Sequence, residues 1–164
     1  MKKLLISVIL SLLLVTIMAV PAIAAVEQIT SASVTVGEVI SITLSGSIAF
    51  GSLSPGVSEV GATGQSDGSP AININVAPET NVQVDIGIKG AITSGNLALS
   101  NWLYSKDFAK TGITGLTTSY VGVYIDAGDG DKPFYHWITI PDGTAPGTHT
   151  VDVSYKAVET GSGF

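Results

Sequence analysis

Thr148-His149-Thr150-Val151-Asp152-Val153-Ser154-Tyr155-Lys156-Ala157 is the stretch that decides the fold. Apolar side chains fall on every second position, with Asp152, Ser154 and Lys156 between them. A period of two belongs to a strand with one face on a core and the other in water. Val151, Val153 and Tyr155 are therefore expected inside, and Asp152, Ser154 and Lys156 outside. The same alternation recurs through Val39 to Leu44, Ile72 to Val76 and Val82 to Ile88. Tyr120 to Ile125 is rich in β-forming residues, and Trp137 to Ile140 is a short run closed by Pro141. Turn chemistry separates these runs at Ser54-Pro55-Gly56, Ala77-Pro78-Glu79-Thr80-Asn81 and Pro141 to Gly147. The short Pro78–Asn81 connection reads as a hairpin between alternating strands. Gly56 to Ser69 reads as a long exposed loop, and Trp102 to Lys110 has room for one helical turn. The whole predicts an all-β chain, a β-sandwich or jelly roll of eight or nine strands.

Ahead of the strands, Met1-Lys2-Lys3 is a short positive segment and Leu4 to Val20 is almost wholly apolar. Pro21 then breaks the run, and Ala22-Ile23-Ala24 precedes Ala25 as a small-residue cleavage site. This is the pattern of a secretory signal peptide over residues 1–24. Read instead as an uncleaved anchor, the run lies at the lower limit of the roughly 20 residues needed to cross a bilayer. In both readings the two lysines hold the N-terminus inside and send the rest out. Contact with the membrane is then expected only through this leader, during export. The expected organisation is a leader over 1–24, an extended segment over 25–36 and a sandwich domain over 37–164.

Composition removes several function classes. The chain has 164 residues, with 7 Lys+Arg against 13 Asp+Glu and no cysteine. Every basic residue is a lysine, and the leader takes two of them and none of the acids. An acidic domain without arginine is a poor partner for nucleic acid. The lack of cysteine excludes disulfides, thiolate metal sites, a cysteine nucleophile and a lipidated cysteine.

Catalytic signals are sparse. H-E-x-x-H does not occur, and the one G-x-S-x-G match, Gly64-Gln65-Ser66-Asp67-Gly68, runs into Ser69-Pro70 and an alternating strand rather than into the helix a nucleophile elbow needs. His136, between Tyr135 and Trp137, and His149, at the head of the last alternating run, read as strand residues rather than as bases. The chain is accordingly not expected to be an enzyme and needs no cofactor. One acidic cluster, Asp126, Asp129 and Asp131, lies among glycines. It reads either as a plain polar loop or as a calcium site, since hard cations take several oxygens from one flexible loop. The aromatics Trp102, Tyr104, Tyr120, Tyr124, Phe134, Tyr135 and Trp137 read as core, or as a stacking platform for a cell-surface glycan.

The layout resembles that of the camelysin/TasA-like biofilm-fibre proteins and the archaeal bundling pilins. The resemblance is carried by the leader ending Ala22-Ile23-Ala24-Ala25, by Ile48-Ala49-Phe50-Gly51-Ser52-Leu53-Ser54-Pro55-Gly56, and by Ile140 to Gly147 with Val151-Asp152-Val153. It implies a jelly-roll subunit that polymerises by donor-strand complementation. An exported chain without anchor or active-site signal is also expected, on its own terms, to be held outside the cell by other proteins. Both lines lead to a secreted, cell-surface structural subunit of a pilus or biofilm-matrix fibre, a homopolymer of its own copies. The alternative is a secreted carbohydrate-binding or adhesin module. In the first reading residues 25–36 are the donor strand, with Val26, Ala32, Val34 and Val36 on one face and Gln28 and Thr30 between them. In a plainer reading the same stretch is the first strand of its own domain.

Overall fold

The computed structural model describes residues 33–164. The leader, Val26 and Ala32 lie outside the described residues. By its contacts the chain divides into Met1–Thr35 and Val36–Phe164, and the strands below belong to the second unit. They are β1 (Ile42–Gly46), β2 (Val60–Gly61), β3 (Ile72–Val76), β4 (Val84–Ser94), β5 (Trp102–Ser105), β6 (Thr114–Gly115), β7 (Val121–Ala127), β8 (Gly130–Ile138) and β9 (Thr150–Glu159). A single 3₁₀ turn over Leu99–Asn101 is the one helical element among the described residues.

The nine strands form two antiparallel sheets. The larger runs β1-β3-β8-β5-β6, with β2 also paired to β8; the smaller runs β7-β4-β9. The long β8 makes the larger sheet possible. Its first half pairs with β3, Ile72 opposite Phe134, and its second half pairs with β5, Trp102 opposite Ile138. Pro133 has no N–H to offer, and β5 covers only the positions after it, Tyr135 to Ile138.

Alternation places the core between the sheets. Ile72, Ile74 and Val76 from β3 and Phe134 from β8 meet Val84, Ile86 and Ile88 from β4, all with under 5% exposure. Val151, Val153, Tyr155 and Ala157 of β9 face the same core, while Asp152 and Lys156 point to solvent. The expected facing of the last strand is thus observed, but its inward side chains are only half-buried. On the outer face of the smaller sheet, Gly87 of β4 stands opposite Gly122 of β7. The Phe164 ring rests on both, where a side chain would collide with it.

Three local expectations are corrected. Pro78–Asn81 does not close a hairpin, because β3 belongs to the larger sheet and β4 to the smaller. Period two tells which residues share a face, not which strand is the neighbour. The turn instead ties down the entry to β1. Asn81 Nδ2 donates to the Gly37 carbonyl, and the Val39 and Ser41 N–H groups donate to Asn81 Oδ1 and Thr80 Oγ1. Trp102–Ser105 is strand rather than helical turn, fixed by pairing to β8. The glycine-rich 56–69 stretch holds the short β2, docked on Trp137 and Ile138.

Candidate functional site

The two sheets are unequal, and the inequality leaves an opening. Among the described residues β9 pairs only with β4, and β1 only with β3. Among the described residues no backbone hydrogen bond leaves the outer edge of β9. Leu44 of β1 stands opposite Ile74, and Ile42 opposite Val76. Residues directly opposite in an antiparallel pair point to the same face, so Ile42 and Leu44 face the core side. Ile74 and Val76 are fully buried there, yet Leu44 is 52% exposed. The smaller sheet ends at β9, and no strand of it lies over β1 among the described residues.

The gap is a groove in two compartments, the smaller mainly apolar and the larger of mixed polarity. One, of about 200 Å³, is lined by Leu44, Ile48, Ile72, Trp102, Val151, Val153 and Tyr155. The other, of about 570 Å³, is bounded by residues 48–53, Trp102, Ile138, Ile140 and residues 144–151. Ile48, Trp102 and Val151 line both. The groove explains why Val151, Val153 and Tyr155 are only half-buried. Trp102 packs edge-on against Phe50, with ring centroids 6.0 Å apart. Its indole nitrogen is buried and has no hydrogen-bond partner among the described residues. Alternation marked the β9 side of this groove, but no local pattern in the sequence marked Leu44, Ile48 and Trp102 as its other wall.

The described chain ahead of Gly37 is apolar at every second position and unpaired. Val34 and Val36 are 87% and 75% exposed and take no part in a strand. Residues 33–36 are therefore not a strand of this domain, and the chain is tied to the fold only from Gly37 onward among the described residues.

The acidic cluster is not gathered into a metal centre. Asp126 ends in β7 and Asp131 lies in β8, strands of different sheets, with Asp129 in the connection between them. Among the described residues no three acidic or histidine side chains are placed to share a metal ion. Each aspartate has a local role instead. Asn75 Nδ2 donates to the Asp131 carboxylate at 2.7 Å, and the Asn75 and Asn73 side chains hold its pKa below the usual carboxylate value. Asp126, in the left-handed region at φ 52°, turns its N–H to Asp85 Oδ1 at 3.0 Å. Thr160 and Gly161 donate to the same Asp85 carboxylate. The Asp126 N–H is the main cause of the lowered Asp85 pKa, and Thr160 and Gly161 add to it. Asp85 thus pins the β7 end and the C-terminal turn to β4.

The histidines also have structural partners. His136 is 2% exposed, and its Nε2 lies 2.8 Å from the Tyr155 hydroxyl, joining the two sheets across the core. Burial drives its pKa down to about 4. The His149 Nδ1 accepts from the Asn96 N–H, and its Nε2 donates to the Ala145 carbonyl, which holds the 144–149 wall of the groove in place.

The aromatics are dispersed over three places. Trp102, Tyr104 and Phe134 fill the core. Tyr135 and Trp137 stack on the outer face of β8 beneath Phe108 and are buried. Tyr120 stacks on Phe164 over the smaller sheet. They do not form one flat exposed platform. A scan against protein-family models, a search of curated proteins and a search of solved structures each returned no match to this chain.

Proposed function

We propose that this protein is a secreted, non-catalytic structural subunit whose copies assemble into an extracellular filament by donor-strand complementation. The observation that supports the reading most strongly is the exposed Leu44 on the core side of β1, beside the edge of β9 that no strand among the described residues pairs with. A sheet edge with a free row of N–H and C=O groups is a template for pairing. Here that edge borders the mainly apolar smaller compartment, so an incoming strand gains backbone bonds from β9 and burial against Leu44, Ile48 and Trp102.

The strand that suits it is residues 25–36 of another copy. The segment has no proline, carries Glu27 as its single charged side chain and keeps valine or alanine at positions 26, 32, 34 and 36. At about 3.4 Å per residue its twelve residues are long enough to span the ten of β9. Each subunit then offers both a strand and a groove. Such a contact is heterologous and extends into a filament rather than closing on a dimer.

Negative-stain electron microscopy of the concentrated protein is the test. Filaments are expected from the wild type. Deletion of residues 25–33 is expected to leave a folded monomer that forms none. Normal filaments from the deletion variant would refute this route of assembly.

A further inference from the structure

We infer that the inserted segment runs antiparallel to β9, with its residue 36 at the larger compartment, and that this direction keeps the assembly open. The inference rests on the donor-strand reading and adds the polarity of the contact to it.

The pairings define the two ends of the sandwich. Val84, where β4 begins, stands opposite Glu159, where β9 finishes. Ile42, where β1 begins, stands opposite Val76, where β3 finishes. Residues 77–83 join Val76 to Val84, so all four strand ends lie at one end of the domain. The chain enters the fold there, because Asn81 and Thr80 hold the Gly37 carbonyl and the Val39 and Ser41 N–H groups. The larger compartment lies at the other end. Its walls are residues 48–53, which follow β1, and residues 144–151, which lead into β9, with Ile138 at the finish of β8. From there the smaller compartment extends along Val151, Val153 and Tyr155, towards the entry end. The ten residues of β9 separate the two ends by roughly 30 Å.

Composition does not choose a direction. Ala32, Val34 and Val36 match Val151, Val153 and Tyr155 three for three either way. Connectivity does choose, because Val36 runs straight into Gly37, which is held at the entry end of the donating subunit. In a parallel insertion Val36 stops beside Tyr155, and the entry ends of donor and acceptor face each other. Each segment then has the other subunit's groove before it, and the exchange closes on a dimer. A segment folded back into its own groove also runs parallel, since its Val36 stays at the entry end. Its twelve residues, about 40 Å when extended, are long enough for that. Antiparallel insertion instead puts Val36 beside Val151 and the donor's entry end against the acceptor's larger compartment. The acceptor's own segment is left for the next subunit, and every subunit points the same way. The donor's Val39 and Ile40, 45% and 39% exposed beside the exit, then come to a compartment lined in part by Phe50 and Leu53.

The chain has no cysteine, so the direction is read by disulfide trapping in the full chain. Val34→Cys is combined with Val151→Cys, Val153→Cys or Tyr155→Cys, oxidised gently and run on a non-reducing denaturing gel. From a pair that links, the first cysteine is moved to position 36 and the second two residues along β9, once earlier and once later. The inference expects the earlier partner to link, in a ladder of dimers, trimers and longer species. The later partner, then about 14 Å out of register, should not link. Should the inward cysteines prevent folding, Ser33→Cys and Thr35→Cys with Asp152→Cys, Ser154→Cys and Lys156→Cys make the same comparison on the outward face.

Linkage to the later partner, or a product confined to dimer or internally bridged monomer, overturns the direction and leaves a closed or self-filled exchange standing. No cross-link in any pairing removes the segment as donor, and the inference with it.

Discussion

Acid should destabilise this protein well before its carboxylates titrate, and His136 sets the amount. The ring is 2% exposed, and Nε2 lies against the Tyr155 hydroxyl between the sheets. Burial lowers its pKa from 6.5 to about 4, slightly offset by the Leu103 carbonyl. In the unfolded chain the ring keeps its ordinary value. Between these two values the unfolded state holds the extra proton, so stability falls as pH falls. It is fully present above about pH 6.5 and is lost down to about pH 4. A separation near 2.5 units at about 1.4 kcal/mol per unit gives a total of about 3 kcal/mol. That is a large share of the roughly 5–15 kcal/mol typical of a domain.

The assay is urea unfolding of wild type and His136→Gln at half-unit steps from pH 7.5 to 4.5. The variant's level will differ, because the bond to Tyr155 changes, so the slope is the readout. The wild-type curve should lose about 2–3 kcal/mol over this range, and the variant's should run nearly flat by comparison. Asp85 and Asp131, whose pKa values lie below the usual carboxylate range, act only at lower pH. Parallel profiles for the two proteins would refute the assignment of a buried neutral imidazole.

Three further outcomes follow from the packing. Val153→Asp puts a charge on the inward face of β9 and should cost about 1–3 kcal/mol by thermal or urea unfolding, whereas Asp152→Ser on the exposed face should be neutral within about 0.5 kcal/mol. Gly46 sits at φ 101°, and a Cβ there would run into the Ala71 carbonyl, which also accepts from the Ser47 N–H. Gly46→Ala should therefore lower Tm by several degrees through loss of β1 pairing, and an unchanged Tm would mean that β1 is not held as described. Millimolar calcium and EDTA should leave Tm unchanged, since Asp126, Asp129 and Asp131 are not gathered around one point; a calcium-dependent rise would show that they converge in solution.

How far the sequence could be read depended on the range of the interaction. The facing of β9 was legible from Val151, Val153 and Tyr155, because period two is a local property of one strand. Its degree of burial was not, because that depends on whether another strand lies over β1, a long-range fact. The same limit explains the hairpin expected at Pro78–Asn81. The turn residues were read correctly as a reversal, but Thr80 and Asn81 use their side chains on residues 37–41, some forty positions earlier. The placing of the acidic cluster was beyond a local reading for a related reason. Six residues of sequence suggested proximity, while in the structure Asp126 and Asp131 belong to strands of different sheets. Trp102 could be named as an aromatic of interest from sequence, but its unsatisfied N–H is visible only once the core is assembled around it.

The absence of cysteine makes covalent trapping the most direct test of assembly through the β9 edge. Side chains directly opposite on paired antiparallel strands have Cβ atoms about 4.5–5.5 Å apart, close enough to be bridged with little movement. Val34→Cys is combined in one chain with Val151→Cys, Val153→Cys or Tyr155→Cys in turn, and the concentrated protein is oxidised gently and run on a non-reducing denaturing gel. The account predicts a ladder of covalent dimers, trimers and longer species for at least one pairing, absent from every single-cysteine control beyond the dimer. A product confined to internally cross-linked monomer, or no cross-link in any of the three pairings from material that has formed filaments, would contradict it.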